Sequence, residues 1–362
     1  MFHLFDSGTK VAVGGSTDDT LHQFDITLNN RTLDLSTGSV FEITPSSDLE
    51  VSLSNPSDSG TVSGATLILD GVAVTSYDID LAEYDGVTVG VSNEEQTPSG
   101  IFFKPDGKKM YICGYTGDEV NEYDLSPPWD ITSATPVNVF SVSGQDSAPV
   151  GIAFKTDGTE MYMVGQAGDD VTQYTLSVAW DISSINPSSP VTASKALTGE
   201  TTPEDVRFKP DGTKMYVCGS GTNAKISEYA LSTAWALSTA TYTDTINIST
   251  QGSTPKSFDF NSDGTKVAVV FDNNNTVFEY DLSTAWDVST ATYNNVSINI
   301  STLAATPQGL IFKSNGEKMY IADSATIQVR QFNVSSAQTI TYDSSIEWEG
   351  GSAPASPNIG AT

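Results

Sequence analysis

A chain of 362 residues with 45 Asp plus Glu against 16 Lys plus Arg carries a formal net charge of −29. That field repels phosphate backbones and anionic lipid, which excludes nucleic acid and membrane insertion as direct partners. No apolar run reaches membrane-spanning length, and MFHLFDSGTK lacks the basic region and apolar core of a secretion signal, so an exported destination would need another route, such as assembly into a particle.

In chain order, residues 1–27 carry Ser7-Gly8 between short runs and end in LHQFDIT, which predicts three strands of a degenerate first repeat. Residues 28–75 follow with alternating runs VFEIT, LEVSL and TLIL, separated by PSSD and NPSDSG. This pattern predicts a small antiparallel sheet, marginal by itself. The rest is repetitive. DVRFKPDGTKMYVCGSGTNAKISEYALSTAWALST at 205–239 has close copies elsewhere, and the turns Asp106-Gly107, Asp157-Gly158, Asp211-Gly212, Asp263-Gly264 and Asn315-Gly316 give a period of about 52 residues.

Each copy predicts four strands: Val206 and Phe208 before an Asp-Gly hairpin, Met215 to Cys218 after it, Ile226 to Leu231, and a fourth after Trp235. Four strands per repeat describe the blade of a β-propeller, with strands a to d running outward from the axis. AEYDGVTVGVSNEEQTPSG at 82–100 aligns with ATYNNVSINISTLAATPQG at 291–309, so Tyr77-Asp78 stands where Trp286-Asp287 stands. The expectation is an all-β chain with six four-stranded blades, the propeller spanning 1–27 and 76–336. The module inserted at 28–75 is expected to be completed by 337–362, since closure of a six-bladed ring would bring the two segments together.

The pairs Met110-Tyr111, Met161-Tyr162, Met215-Tyr216 and Met319-Tyr320 are expected to fill the two faces of strand b. Cys113 and Cys218 occupy the same position of that strand in non-adjacent blades, too far apart for a disulfide, and read as buried small apolar residues. Two residue sets could bind a ligand. Trp129, Trp180, Trp235 and Trp286, three of them followed by Asp, recur between strands c and d. Packing between blades explains them, and sugar stacking is the alternative. Asp118, Glu119, Asp169, Asp170, Asp272, Asn273 and Asp323 lie in the b-to-c connections, which all fall on one face. There they read as solvated turn residues or as a site for Ca²⁺ or sugar hydroxyls, although no loop has a compact calcium pattern.

Catalysis finds little support in contiguous motifs. His3 and His22 are the only histidines, and no nucleophile elbow, phosphate loop or zinc spacing occurs. No catalytic residue and no certain metal ligand or cofactor is assigned.

DLSTGSVFEITPSSDLEVSLSNPSDSGTVSGATLIL at 34–69 and TITYDSSIEWEGGSAPASP at 339–357 resemble the small β-module of virion and tail-fibre proteins of tailed bacteriophages, where the two halves are nearly adjacent. The family pattern continues into a further strand, whereas this chain stops at Thr362. The blades resemble propeller repeats of the YVTN-like class, which imply a fold and not an activity. The resemblance implies a non-enzymatic structural or adhesive component of a virion, a tail fibre or head appendage. Its implied partners are other virion proteins and a host receptor or glycan. The competing readings are a six-bladed hydrolase of lactonase type and a bacterial surface interaction module.

Overall fold

The computed structural model describes residues 77–334 apart from 78 and 221–222, and outside that span only the backbone of short strands. The chain divides into two compact units, Met1–Ser76 with Ser336–Thr362, and Tyr77–Ser335.

In the first unit β1 (Lys10–Gly14) pairs antiparallel with β2 (Leu21–Asp25). The inserted strands pair differently from the expected antiparallel sheet. β3 (Arg31–Asp34) runs parallel to β5 (Val51–Ser54), and β4 (Val40–Ile43) runs parallel to β7 (Thr66–Leu69). The stretch between each pair is long enough for the crossover that parallel strands require. β6 (Thr61–Val62) is a further inserted strand. The remainder of the expected 28–75 module, and His3, lie outside the described residues.

The second unit is a closed ring. Blade one comprises β9 (Pro98–Phe103), β10 (Lys109–Gly114), β11 (Glu119–Asp124) and β12 (Thr135–Ser141). Blade two comprises β13 (Pro149–Phe154), β14 (Glu160–Gly165), β15 (Asp170–Thr175) and β16 (Val191–Ala196). Blade three comprises β17 (Pro203–Phe208), β18 (Lys214–Gly219), β19 (Lys225–Leu231) and β20 (Ala240–Asn247), and blade four β21 (Pro255–Phe260), β22 (Lys266–Phe271), β23 (Thr276–Leu282) and β24 (Ala291–Asn299). In the fifth, β25 (Pro307–Phe312), β26 (Lys318–Asp323) and β27 (Gln328–Asn333) take their outer strand from the start of the ring, β8 (Glu83–Gly90). The inner strands β9, β13, β17, β21 and β25 pack in sequence, and β25 returns to β9.

The ring therefore has five blades, not the six expected. The alignment of 82–100 with 291–309 locates a true fourth strand, but that strand completes the last blade and leaves none in the described ring for a sixth. Residues 1–27, read as strands of that extra blade, lie in the other unit. Beyond the ring, β28 (Thr341–Tyr342) lies parallel to β5, and β29 (Glu347–Trp348) lies parallel to β6. The rest of 337–362 is outside the described residues.

The seams between blades follow from the repeat. Met110, Tyr111, Met161, Tyr162, Met215, Tyr216, Met319 and Tyr320 are all fully buried. A tyrosine hydroxyl inside such a seam needs an acceptor. Tyr111 donates to the Trp180 carbonyl at 2.7 Å, Tyr162 to Trp235 at 2.6 Å and Tyr216 to Trp286 at 2.7 Å, each reaching the following blade. Tyr320 donates to Trp129 at 3.1 Å and so ties the last blade to the first. Carboxylates on the third strand add a second link, as where Glu122 accepts from the Ile182 amide at 3.0 Å. Cys113 and Cys218 are free thiols in the same interior, and burial pushes Cys113 up to about 12.

Candidate functional site

Five inner strands leave a narrow axis. Their third residues are Gly100, Gly151, Asp205, Ser257 and Gly309, and their fifth are Phe102, Ala153, Arg207, Asp259 and Ile311. A Cβ on Gly100 would sit 2.9 Å from the Gly151 Cα, and one on Gly309 would sit 2.7 Å from the Ser99 carbonyl oxygen. Three strands thus approach too closely for side chains at the third position, and at the third and fifth positions the polar side chains come from blades three and four.

Inner strands have one edge without a neighbour in their own sheet, and its amides and carbonyls need partners. Arg207 supplies many of the donors. Its Nη1 donates to Asp205 Oδ1 at 2.8 Å and to the carbonyls of Val206 at 3.0 Å and Ile152 at 3.2 Å, while Nη2 donates to the Leu310 carbonyl at 3.0 Å. One guanidinium thereby spans β13, β17 and β25. The acceptors come from the facing groups. The Ser257 hydroxyl donates to Asp205 Oδ2 at 2.5 Å and accepts from the Leu310 amide at 3.0 Å. Asp259 accepts from the amides of Phe312 at 2.9 Å and Phe260 at 3.0 Å. Arg207 Nε is buried, has no hydrogen-bond acceptor, and lies 3.7 Å from Asp259 Oδ1.

Burial pushes the Asp205 carboxyl up to about 6 against the pull of Arg207 and its hydrogen bonds. Burial also raises Asp259, opposed by Arg207 and the two amides. On the side of the a-to-b turns the axis widens into a funnel of about 370 Å³. Tyr77, Phe102, Phe103, Trp129, Phe208, Phe260, Trp286, Ile311 and Phe312 line it, with Arg207 and Asp259 among them. The rim residues Pro105, Pro210, Ser262 and Ser314 lie three positions beyond the fifth residue of their strands, so Arg207 and Asp259 belong to the floor. An apolar concavity with a few convergent polar groups is the usual form of a small-molecule site.

The four tryptophans named from sequence have positive φ, 66° at Trp129, Trp180 and Trp235 and 63° at Trp286. Each indole covers the glycine of its own a-to-b turn, so closely that a Cβ on Gly107, Gly158, Gly212 or Gly264 would overlap it. Tyr77 covers Gly316 in the same way, as its alignment with Trp286 requires. Trp129 and Trp286 also line the funnel; Trp180 and Trp235 do not. The following aspartates cap the next turn, Asp130 accepting from the Thr132 amide, Asp181 from Ser183 and Asp287 from Ser289.

The acidic b-to-c residues lie at the opposite face, and the hydrogen bonds they accept come from within their own blades. Asp118 and Asp169 occupy left-handed turn positions, with φ of 49° and 48°. Glu119 and Asp170 open β11 and β15, and Asp170 accepts from the Ser194 hydroxyl. Asn273 accepts from the amides of Ser253 and Thr254 at 3.0 and 3.1 Å. Asp323 is fully buried, accepts from the Thr306 amide at 2.8 Å and pairs with Arg330 at 3.3 Å. Asp272 is raised by desolvation, with Lys256 pulling it down and Asp323 pushing it up. Among the described residues no three Asp, Glu, His or Cys side chains converge to hold a metal ion.

Arg207, Asp259, Asp205 and Ser257 are not singled out by motif reasoning. Their signal is departure from the repeat, because polar residues appear in blades three and four where other copies carry Gly, Ala, Phe or Ile.

These features define a closed β-propeller whose axis is blocked at mid-depth by an arginine–carboxylate cluster beneath an aromatic funnel. Residues 69–298, more than half of the chain, match the family model described as Lactonase, 7-bladed beta-propeller, and the chain belongs to that family. Its described ring nonetheless has five blades. No curated protein matches the sequence. Among solved structures, a candidate 6-phosphogluconolactonase from Bacteroides uniformis is similar at 14% identity and a TM-score of 0.40, covering 56% of this chain and 55% of that one. A functionally unknown protein from Desulfotomaculum acetoxidans is similar at 11% identity and 0.38, covering 62% of each chain. A candidate 6-phosphogluconolactonase from Bacteroides fragilis is similar at 14% and 0.39, covering 80% and 77%. The chain thus spans little more than half the length of the first two structures, and likenesses this distant carry no activity across.

Family membership overturns the expectation of a non-enzymatic structural or adhesive phage component. It names a lactonase propeller, not a phage fibre or a YVTN-type repeat. The expectation fails for a physical reason. The polar groups of this cluster form no contiguous motif, since two come from each of blades three and four, on strands whose equivalent residues stand 52 positions apart, as Arg207 and Asp259 do.

Proposed function

We propose that the protein is a hydrolase of cyclic esters acting at the floor of the funnel. The observation that carries this reading, within a lactonase family, is a buried Arg207 Nε–H with no acceptor, 3.7 Å from the Asp259 carboxylate, both lining a 370 Å³ concavity. Asp259 serves as general base. It takes a proton from water as the water oxygen bonds to the lactone carbonyl carbon, and the carbonyl oxygen becomes an oxyanion facing Arg207 Nε. The ring C–O bond then breaks, the leaving oxygen recovers the proton from Asp259, and a hydroxy acid results. Burial raises Asp259 and so strengthens it as a base, while the Arg207 charge opposes that rise.

A pH-stat assay over a panel of γ- and δ-lactones tests the proposal. Hydrolysis is expected, with an acid limb above the ordinary carboxylate range. Asp259→Asn should lower kcat by about 10²–10⁴-fold, the usual worth of a general base. Absence of hydrolysis across the panel, or an unchanged rate in Asp259→Asn, overturns it.

A further inference from the structure

The floor of the funnel is divided in chemistry. Of the five residues at the fifth inner-strand position, Arg207 and Asp259 sit on the adjacent strands β17 and β21, whereas β25, β9 and β13 contribute Ile311, Phe102 and Ala153. Phe102 extends the apolar half toward blade two, with ring centroids 5.3 Å from Phe154 and 6.4 Å from Trp180. The walls above are aromatic on blades one, three, four and five. Arg207 is the single basic residue in the lining, and both its terminal nitrogens are committed to Asp205 and to backbone carbonyls.

Four lysines beside the rim are already engaged. A lysine directly follows the inner strand in four blades, and each is held by a carboxylate of its own turn: Lys104 by Asp106 at 2.9 Å, Lys155 by Asp157 at 2.9 Å, Lys209 by Asp211 at 2.7 Å and Lys313 by Glu317 at 2.7 Å. In blade four the position is Asn261. The surrounding field of a chain with net charge −29 opposes the entry of an anion.

Resting on the proposed lactonase activity, we infer that the substrate is an uncharged lactone bearing an apolar substituent, and not a phosphorylated or polyhydroxylated sugar lactone. The ester sits over Arg207 and Asp259, and the substituent lies across Phe102 and Ile311. A phosphate in this funnel would lose its water without gaining a free cation, whereas an alkyl or aryl group replaces water against a surface that is already apolar.

The test compares kcat/KM for an alkyl-substituted δ-lactone, glucono-δ-lactone and 6-phosphoglucono-δ-lactone on the intact protein. The alkyl lactone is expected to exceed both sugars by about tenfold or more, since each additional buried methylene discriminates by about 10-fold or more. Phe102→Ser should narrow that preference at least several-fold, mainly through KM for the alkyl lactone. If this variant does not fold, the comparison on the unaltered protein decides alone. Equal or faster hydrolysis of 6-phosphoglucono-δ-lactone overturns the inference and leaves the lactonase reading standing; hydrolysis of none of the three overturns both.

Discussion

At the scale of single residues, the glycines of the a-to-b turns show how one position holds a blade together. Gly158 has a φ of 74°, and the space where a Cβ would stand is taken by the Trp180 indole, itself 8% exposed. Gly158→Ala meets both a left-handed backbone and a displaced ring, and should cost about 1–3 kcal/mol in urea unfolding. A change below about 0.5 kcal/mol would show that the indole is not a structural cover. The glycine and the tryptophan are both legible in the sequence, since both recur. Their contact is not, because 22 positions separate Gly158 from Trp180 and only the folded hairpins bring them together. Asp205 and Arg207 were open to the same reading, yet as two charged residues in a strand they look like ordinary surface positions until the narrow axis is known.

At the scale of elements, the Asp-Gly turns are electrostatic devices as well as hairpins. Against a desolvation cost, Thr159 and Lys155 hold the Asp157 carboxyl down at about 2, and Lys209 and Thr213 do the same for Asp211. A folded-state value below the unfolded one contributes stability that is complete above about pH 4 and is lost as pH falls toward 2. Asp205 acts with the opposite sign. Raised to about 6, it binds its proton better in the folded state, so its contribution declines as pH rises from about 4 to 6. The melting temperature should therefore fall below pH 4, and the double substitution Asp157→Asn with Asp211→Asn should flatten that acid limb without changing the slope between 4 and 6. An unaltered acid limb would assign it to other carboxylates. The strands and these turns were readable because period-two runs meet at Asp-Gly, whereas the parallel pairing of β3 with β5 was not, since alternation says which face is apolar and nothing about which strand lies beside it.

At the scale of the ring, stability depends on groups that cross the axis. Arg207→Met would leave Asp205 buried without its cation and free the carbonyls of Ile152 and Leu310. The expected loss is about 3–5 kcal/mol, read from the urea midpoint at constant slope. A loss under about 1 kcal/mol would mean that the inner strands hold the ring without it. The sequence by itself determined the four-stranded repeat, the buried Met-Tyr pairs and the equivalence of Tyr77 with the repeated tryptophans, because each follows from local periodicity and steric demand repeated in register. Only the tertiary structure decided that there are five blades, that β8 belongs to the last of them, and that an arginine and an aspartate from neighbouring strands meet at the base of an aromatic funnel. Blade number and axial contacts depend on how closely whole sheets can approach one another, and no single repeat contains that distance.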